Sequence, residues 1–273
     1  MIRPPAVAGM FYPGDADELT GNLQDVFLRA DNPSIGGKLI ALVVPHAGYM
    51  YSGVTAAYAY RLVAEGEFDV IALVGPSHRD NFGGVSVYPG EGYRTPLGDV
   101  PINDALRTAL VECSPLIRAI PDGHREEHSL EVQIPFIQMV SPKSSILPLV
   151  MGDQREETCL ELGRALARCT SGKKVLLIAS SDLSHFSPSH LAKRKDADTM
   201  HAIAAMDEDE LLAKLDDGSA EACGGGPIAA IMTAAKILGA TQCTLLHSCN
   251  SGDVTGDRTR VVGYCSAALW RPN

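Results

Sequence analysis

The chain has 273 residues, of which 45% are hydrophobic and 21% are charged, so it can bury a sizeable core. Acidic residues outnumber basic ones by 33 to 23, for a formal net charge of -10, and nucleic-acid binding, which requires a basic surface, is therefore not expected. The sequence has neither an apolar stretch near the roughly 20 residues of a membrane-spanning helix nor the long apolar core of a signal peptide, so we expect no membrane association and a cytoplasmic location.

Predicted helices and strands alternate along the whole chain. The first helix has Asp15 as its N-cap and Glu18 three residues later, which is typical of a capping box. In chain order the predicted elements are a helix (15–30), a strand (38–44), a helix (53–66), a strand (68–75), a short strand (83–90), a helix (102–113), a strand (144–152), a helix (155–170), a strand (173–181), one or two helices (192–215), a helix (226–239) and two strands (242–248 and 260–270).

This alternation predicts an α/β fold with a mostly parallel central sheet. The strands over 39–44, 70–74 and 175–179 are continuous apolar runs, which is typical of strands that are buried on both faces. The chain shows no linker, internal repeat or low-complexity segment. We therefore expect residues 1–273 to form a single domain with helices on both faces of the sheet.

Three of the apolar runs end in residues that can bind a metal or move protons. The stretch "LIALVVPHAGYMYSG" places His46 after one strand, and "VIALVGPSHRD" places His78 after another. A third stretch, "VLLIASSDLSHF", is followed in the same way by Asp182 and His185. Ligands of open α/β sheets bind beyond the carboxyl ends of the strands, so these side chains would share one crevice if the strands are parallel neighbours.

Cys223 is a further candidate, in the stretch "EACGGGPIAAIMTAAKIL". The seven cysteines of the chain are scattered and contain no CxxC pair, so they do not indicate a disulfide framework. Cys223 differs because it lies just before a helix, where the helix dipole is expected to lower the pKa of the thiol. Gly224 and Gly225 follow it and would let backbone N–H groups approach a ligand or an oxyanion closely.

The stretch "DGHREEHSLEVQIPF" contains two histidines and several carboxylates. His128 and Glu131 would share one face if the segment is helical, and a His-Glu cluster of this kind can bind a metal or move protons. A helix start that merely carries charge is the alternative interpretation. Tyr49, Tyr51 and Tyr93 are close in sequence to the candidate turns and are predicted to line the pocket, together with His128, Glu131, Gly224 and Gly225.

The motifs "PHAGYMYSG", "GPSHR", "YRTPLGDV", "EEHSLEVQIPF", "SSDLSHF" and "CGGGPI" together resemble the Memo family, whose prokaryotic members are often called AmmeMemoRadiSam system protein B. That family resembles the catalytic subunits of class III extradiol dioxygenases of the protocatechuate 4,5-dioxygenase type. The resemblance implies a three-layer α/β/α sandwich. It also implies that His46 and His78 are metal ligands and that His185, beside Asp182, is the acid/base residue.

The resemblance departs from the dioxygenases at the third ligand, where Cys223 takes the place of a carboxylate. Two histidines and a carboxylate form the usual facial triad of non-haem iron, and a thiolate makes the site softer. The resemblance thus implies a divalent metal, with iron as the first expectation and copper or zinc as alternatives.

Three classes of function follow from these residues. The first is a metal-dependent redox protein with dioxygenase-like chemistry on an unknown small molecule. The second is a metal-independent hydrolase or transferase, in which Cys223 is the nucleophile, His185 the base and Asp182 the group that orients it. The third is a non-enzymatic scaffold that binds a peptide or metabolite. The family name further implies a radical SAM protein and an AMMECR-type protein as partners.

Overall fold

The structure is a computed structural model that describes residues 1–63 and 67–273. Its helices are α1 (Ala16–Arg29), α2 (Tyr49–Tyr60), α3 (Asp104–Cys113), α4 (Ile134–Val140), α5 (Glu156–Thr170), α6 (Ser189–Ala205), α7 (Glu208–Asp217), α8 (Gly225–Ile237) and α9 (Ser251–Thr255). Its strands are β1 (Ile2–Arg3), β2 (Gly37–Val44), β3 (Val70–Pro76), β4 (Val85–Val87), β5 (Gly92–Thr95), β6 (Gly98–Pro101), β7 (Ile117–Ala119), β8 (Ser145–Met151), β9 (Val175–Ser180), β10 (His185–Ser187), β11 (Gln242–Asn250) and β12 (Val261–Pro272).

The centre of the large sheet consists of parallel strands in the order β2-β9-β3-β8. This is the parallel arrangement that the continuous apolar runs predict. Antiparallel pairs flank this centre, since β12 pairs with β2, β10 and β11, and β4 pairs with β8, while β7 extends the sheet in parallel with β4. Strands β1, β5 and β6 form a separate small sheet. The sheet is therefore parallel at its centre and mixed at its edges.

Each central strand divides its apolar side chains between two cores, one on each face. On β2, Leu42 and Val44 pack on the face that is covered by α1, α2 and α4, whereas Ala41 and Val43 pack on the opposite face. That second face is covered by α3, α5, α6, α7 and α8. The result is a three-layer α/β/α sandwich, as predicted.

The predicted elements agree with the observed ones over most of the chain. Asp15 caps α1, because its side chain accepts hydrogen bonds from the backbone N–H groups of Asp17 and Glu18. The segment 192–215 belongs to two helices, α6 and α7. Helix α6 ends at Ala205, because the next residue, Met206, has a left-handed backbone conformation (φ 55°). The predicted helix over 53–66 begins four residues earlier, at Tyr49, and the last three residues of the prediction, 64–66, lie outside the described residues.

The segment that carries His124 and His128 is not helical as far as residue 130. A 3-10 turn begins only at Glu131 and leads into α4. The predicted shared helical face of His128 and Glu131 is therefore wrong. Within residues 1–63 and 67–273, no helix combines the length and the apolar character needed to cross a membrane.

Candidate metal site

The three strand ends that were singled out in the sequence meet at one edge of the sheet. Strand β9 lies between β2 and β3 and is parallel to both, so the segments after these strands leave the sheet side by side. His46 follows β2, His78 follows β3, and Asp182 follows β9. The expectation that these strands are parallel neighbours is confirmed.

His46, His78 and His128 form a compact cluster at this edge. One possible ligand atom from each imidazole lies within 4.8 Å of those of the other two. The ring centroids of His46 and His78 are 5.2 Å apart, and His128 lies 5.4 Å from His46 and 4.7 Å from His78. His46 is buried, His78 is exposed and His128 is partly exposed. The cluster is therefore a group of three nitrogen donors that could hold a metal ion.

Hydrogen bonds fix the ring of His46 from behind. Its Nδ1 lies 3.0 Å from the Oγ of Ser180, which itself donates to the carbonyl of Ser129 and accepts from the Nε2 of Gln133. Because the Ser180 hydroxyl donates its proton to the Ser129 carbonyl, it can only accept a hydrogen bond from Nδ1 of His46. The proton of a neutral His46 ring is therefore on Nδ1. The lone pair of Nε2 is left to face the cluster.

The ring of His78 is oriented by a carboxylate. Its Nδ1 lies 2.9 Å from Oε1 of Glu127, and its backbone N–H donates to Oε2 of the same residue at 2.5 Å. Burial opposes ionisation of Glu127, but the hydrogen bonds from His78 outweigh it and lower the pKa of the carboxyl to about 2. A charged carboxylate behind a histidine is the arrangement that commonly orients metal-binding imidazoles.

Burial keeps two of the imidazoles neutral. It lowers the pKa of His46 well below the ordinary value, and the neighbouring His128 and His78 lower it further. Burial also lowers the pKa of His128 to about 4, despite the nearby charge of Glu127. Neutral imidazoles are the form that binds metals.

Cys223 extends the cluster on the side of His46. Its Sγ lies 3.2 Å from the Nε2 of His46, although it is not in the group of three donors that all lie within 4.8 Å of one another. Burial, followed by the charge of Asp182, raises the pKa of the thiol to about 12. The expectation that the start of α8 lowers this pKa is therefore wrong, because burial outweighs the helix dipole.

The N–H groups of the glycines after Cys223 donate to protein atoms. The N–H of Gly224 donates to the Oγ of Ser181 at 2.9 Å, and that of Gly226 donates to the Oε1 of Gln154 at 2.7 Å. The N–H of Gly225 donates to a backbone carbonyl three residues earlier, at 3.3 Å. Binding of a ligand by the N–H groups of Gly224 and Gly225 would require these bonds to open, and it stays a prediction.

Asp182 and His185 lie at the same edge but are held by different partners. Asp182 is buried and accepts a hydrogen bond of 2.7 Å from the backbone N–H of His46. Burial raises the pKa of its carboxyl to about 7. The Nδ1 of His185 lies 3.9 Å from Glu221, which also accepts from the His185 backbone at 2.8 Å. The carboxylate beside His185 is Glu221, and the predicted orienting role of Asp182 has to be corrected accordingly.

His185 is partly exposed and is close enough to the histidine cluster to interact electrostatically with His46 and His78. Burial lowers the pKa of its imidazole, and the neighbouring His78 lowers it further, against the opposing effect of Glu221. A neutral imidazole beside the cluster is suited to accept a proton from a bound molecule.

Several side chains predicted to touch a substrate are buried behind the site. Tyr49 donates to the carbonyl of Val132 at 2.7 Å, and the hydroxyl of Tyr93 lies 2.6 Å from the Nδ1 of His124. Glu131 is fully buried and pairs with Arg3 at 2.6 Å. A direct contact of Tyr49, Tyr93 or Glu131 with a substrate would require these bonds to open, and it stays a prediction.

Tyr51 and His128 remain better placed for such a contact. Tyr51 is half-buried in the first turn of α2, and His128 is partly exposed within the cluster. Phe11 packs against His128 with its ring centroid at 4.8 Å. The N-terminal segment thus forms part of the wall beside the histidines.

The residues that orient the ligands were not selected from the sequence. Glu127 was only one member of a charged stretch, and Ser180 and Gln133 carried no signal. Their roles depend on contacts between distant parts of the chain. Glu127 lies 49 positions from His78, Ser180 lies 134 positions from His46, and Gln133 lies 47 positions from Ser180. The one signal in the sequence for such a role was a carboxylate in a histidine-rich stretch, that of Glu127.

Comparisons with known proteins agree with this arrangement. The family model described as "Memo-like protein" matches residues 3–268. A MEMO1 family protein of Methanothermobacter thermautotrophicus is 40% identical, over 97% of this chain and 99% of the relative, and one of Thermoplasma acidophilum is 40% identical, over 97% and 98%. The crystal structure of an uncharacterized protein from Escherichia coli K12 has the same fold, with a TM-score of 0.60 and 17% identity over 85% of this chain and 100% of that chain.

Proposed function

Because this chain belongs to the family of Memo-like proteins, we propose that it is a metal-dependent redox protein whose metal is held by His46, His78 and Cys223. The observation that carries the proposal is the cluster in which imidazole donors of His46, His78 and His128 lie within 4.8 Å of one another. Iron is the metal proposed first, with copper or zinc as alternatives, since nitrogen and thiolate donors suit all three.

The donor atoms fit such a metal in their protonation states and orientation. Ser180 and Glu127 engage the Nδ1 atoms of His46 and His78, so each neutral ring would offer the lone pair of its Nε2 to a metal. The thiol of Cys223 has to lose its proton on binding, so metal affinity should rise with pH. His128 is a fourth donor within reach and can complete the coordination or meet the bound molecule.

A bound iron would supply redox chemistry with oxygen at this edge of the sheet. The chain's own residues would position a small molecule and manage its protons. His185 is proposed as the acid/base residue, because its imidazole has a lowered pKa and interacts with His78, and Glu221 lies beside its Nδ1. Phe11 and Tyr51 are proposed to bound the space next to His128, which favours a substrate with an aromatic or other flat apolar part.

The metal-independent hydrolase is the weaker alternative for the same residues. It needs a thiolate at Cys223 and free backbone donors, whereas burial raises the pKa of that thiol to about 12 and the glycine N–H groups are engaged. A radical SAM protein and an AMMECR-type protein are proposed as partners on the family resemblance alone. A scaffold that has kept the pocket without catalysis is the outcome if no turnover is found.

Oxygen consumption by anaerobically loaded protein tests the redox proposal. Protein loaded with ferrous iron is mixed with a set of aromatic diols and then with oxygenated buffer. We expect uptake with at least one diol, and we expect His185→Ala to abolish that uptake while keeping its iron. Uptake that is unchanged in His185→Ala would remove this residue from the proposed chemistry, and no uptake with any diol would contradict the dioxygenase-like reaction.

A further inference from the structure

Two cysteines far from the metal site lie against each other at the ends of neighbouring helices. Cys113 is the last residue of α3, and Cys169 is the next-to-last residue of α5. Both are free and partly buried, and both pack against the core on the same face of the sheet. Because α5 runs back from the carboxyl edge of the sheet toward the start of β9, its end lies at the edge opposite to the histidine cluster.

The contact between the two thiols follows from the packing of α3 on α5. The Sγ of Cys169 donates to the carbonyl of Ala109 at 3.6 Å, and Ala109 lies one helical turn before Cys113. Residues four apart on a helix are neighbours on its surface, so this contact brings Cys169 beside Cys113. The two side chains are within hydrogen-bonding contact, and burial and the neighbouring Cys113 together raise the pKa of the Cys169 thiol to about 11.

A guanidinium group completes the cluster. Arg168 precedes Cys169 in the chain, and its guanidinium interacts with the side chain of Cys113. The Nη2 of Arg168 also lies 3.2 Å from Oε1 of Glu161, and this ion pair holds the arginine side chain along α5. An arginine beside a cysteine stabilises the thiolate, the form that reacts with oxidants. Burial raises the pKa of the Cys169 thiol, so we assign Cys113, beside the guanidinium, as the sulfur that reacts first and Cys169 as the one that reacts second.

We propose that Cys113 and Cys169 form a reversible oxidation site, in which a peroxide converts the two thiols into a disulfide that joins the ends of α3 and α5. The Cys113 thiolate attacks one oxygen of the peroxide, the O–O bond breaks, and Cys113 becomes a sulfenic acid. The sulfur of Cys169 then attacks the sulfur of Cys113 and displaces its oxygen as water. In total, two thiols and one hydrogen peroxide give one disulfide and two water molecules.

The position of the pair favours closure. Both cysteines lie in the last turn of their helices, where the backbone adjusts most easily. Among the described residues, the other five cysteines show no such contact with a second sulfur: Cys159 and Cys265 are fully buried, Cys223 contacts His46, Cys249 contacts Thr55, and Cys243 is partly buried. Cys243 therefore provides a matched control thiol.

Peptide mapping of the whole protein after oxidation tests the proposal directly. The native chain is treated with hydrogen peroxide, its remaining thiols are alkylated, and it is digested with trypsin without reduction. We expect a new species that joins peptide 108–118, which contains Cys113, to peptide 169–173, which contains Cys169. Its mass should be the sum of the two peptides less two hydrogen atoms, and a reducing agent should remove it.

Variants assign the linkage to this pair. The joined peptide should be lost in Cys113→Ser and in Cys169→Ser, and it should form at the wild-type rate in Cys243→Ser. In Cys169→Ser, we expect the Cys113 peptide to appear as the sulfenic acid or a higher oxide. The proposal is overturned if both cysteines of the wild type remain fully alkylated after treatment, or if Cys113 is oxidised to a sulfonic acid without any link to Cys169.

Discussion

The Sγ of Cys223 lies 3.2 Å from the Nε2 of His46, although 177 positions of the chain separate the two residues. The contact joins the loop before α8 to the end of β2. The same loop is tied to the segment that follows β9, because the N–H of Gly224 donates to the Oγ of Ser181. A thiol sulfur and an unprotonated imidazole nitrogen at this distance are two possible metal ligands that face one another.

Removing the carboxylate behind His78 should weaken metal binding without removing a ligand. We expect Glu127→Gln to lower the affinity for ferrous iron or zinc by about 10- to 100-fold, as is usual for groups that orient metal-binding histidines. Competition with a chelator of known affinity measures this effect. Glu126→Gln is the matched control, because Glu126 is exposed. An equal loss in both variants would contradict the role assigned to Glu127.

The loop that carries Cys223 should not tolerate a side chain at Gly224. A Cβ atom there would lie 2.5 Å from the carbonyl oxygen of Ser180 and 2.8 Å from the Cβ of Ser181. We expect Gly224→Ala to shift the loop and to lower both the metal content and the thermal midpoint. Gly21→Ala, in the exposed part of α1 where nothing lies within 4 Å of the added atom, should instead stabilise by about 0.5–1 kcal/mol. Thermal unfolding of both variants makes the comparison.

The buried ion pair behind the site should matter more than an exposed one. The side chains of Arg3 and Glu131 are 2% and 0% exposed, and the Nη1 of Arg3 lies 2.6 Å from the Oε2 of Glu131. Arg3→Met leaves the buried carboxylate of Glu131 without its positively charged partner, so we expect a loss of roughly 3–5 kcal/mol in the free energy of unfolding. Arg94→Met, which breaks an exposed pair with Asp99, should cost at most about 1 kcal/mol. Urea unfolding measures both losses, and equal losses would contradict this prediction.

His124 should make the fold sensitive to acid. Burial lowers its pKa from the ordinary value of 6.5 to about 3, so between these two pH values the unfolded chain binds a proton that the folded chain does not. Stability therefore falls as the pH falls through this window, by at most about 1.4 kcal/mol per pH unit for one proton. In His124→Gln the free energy of unfolding should depend less steeply on pH between 6 and 4. His201→Gln, at an exposed position of α6, should keep the wild-type slope.

The strand ends were predictable because short-range patterns determine them. Continuous apolar runs identified β2, β3 and β9, and the rule for parallel sheets placed His46, His78 and Asp182 at one edge. The partners of these residues were not predictable, because they come from distant segments. The pairing of Asp182 with the His46 backbone, rather than with His185, depends on how β9 lies beside β2.

Burial explains the remaining differences. Sequence position alone suggested a lowered pKa for the thiol of Cys223, but its surroundings raise the pKa to about 12. Tyr93 and Glu131 are close in sequence to site residues, yet the N-terminal segment with Arg3 covers them. No pattern within a short stretch indicates that β1 packs there, since its two residues only pair with β5.

Metal content of the purified protein is the measurement that tests the central claim most directly. Wild type and the variants His46→Ala, Cys223→Ala and His128→Ala are purified without oxygen and analysed by elemental mass spectrometry. We expect about one metal ion per chain in the wild type, a near-complete loss in His46→Ala and Cys223→Ala, and a partial loss in His128→Ala. A wild type without bound metal after anaerobic loading, or a Cys223→Ala variant that retains it fully, would contradict the proposed set of ligands.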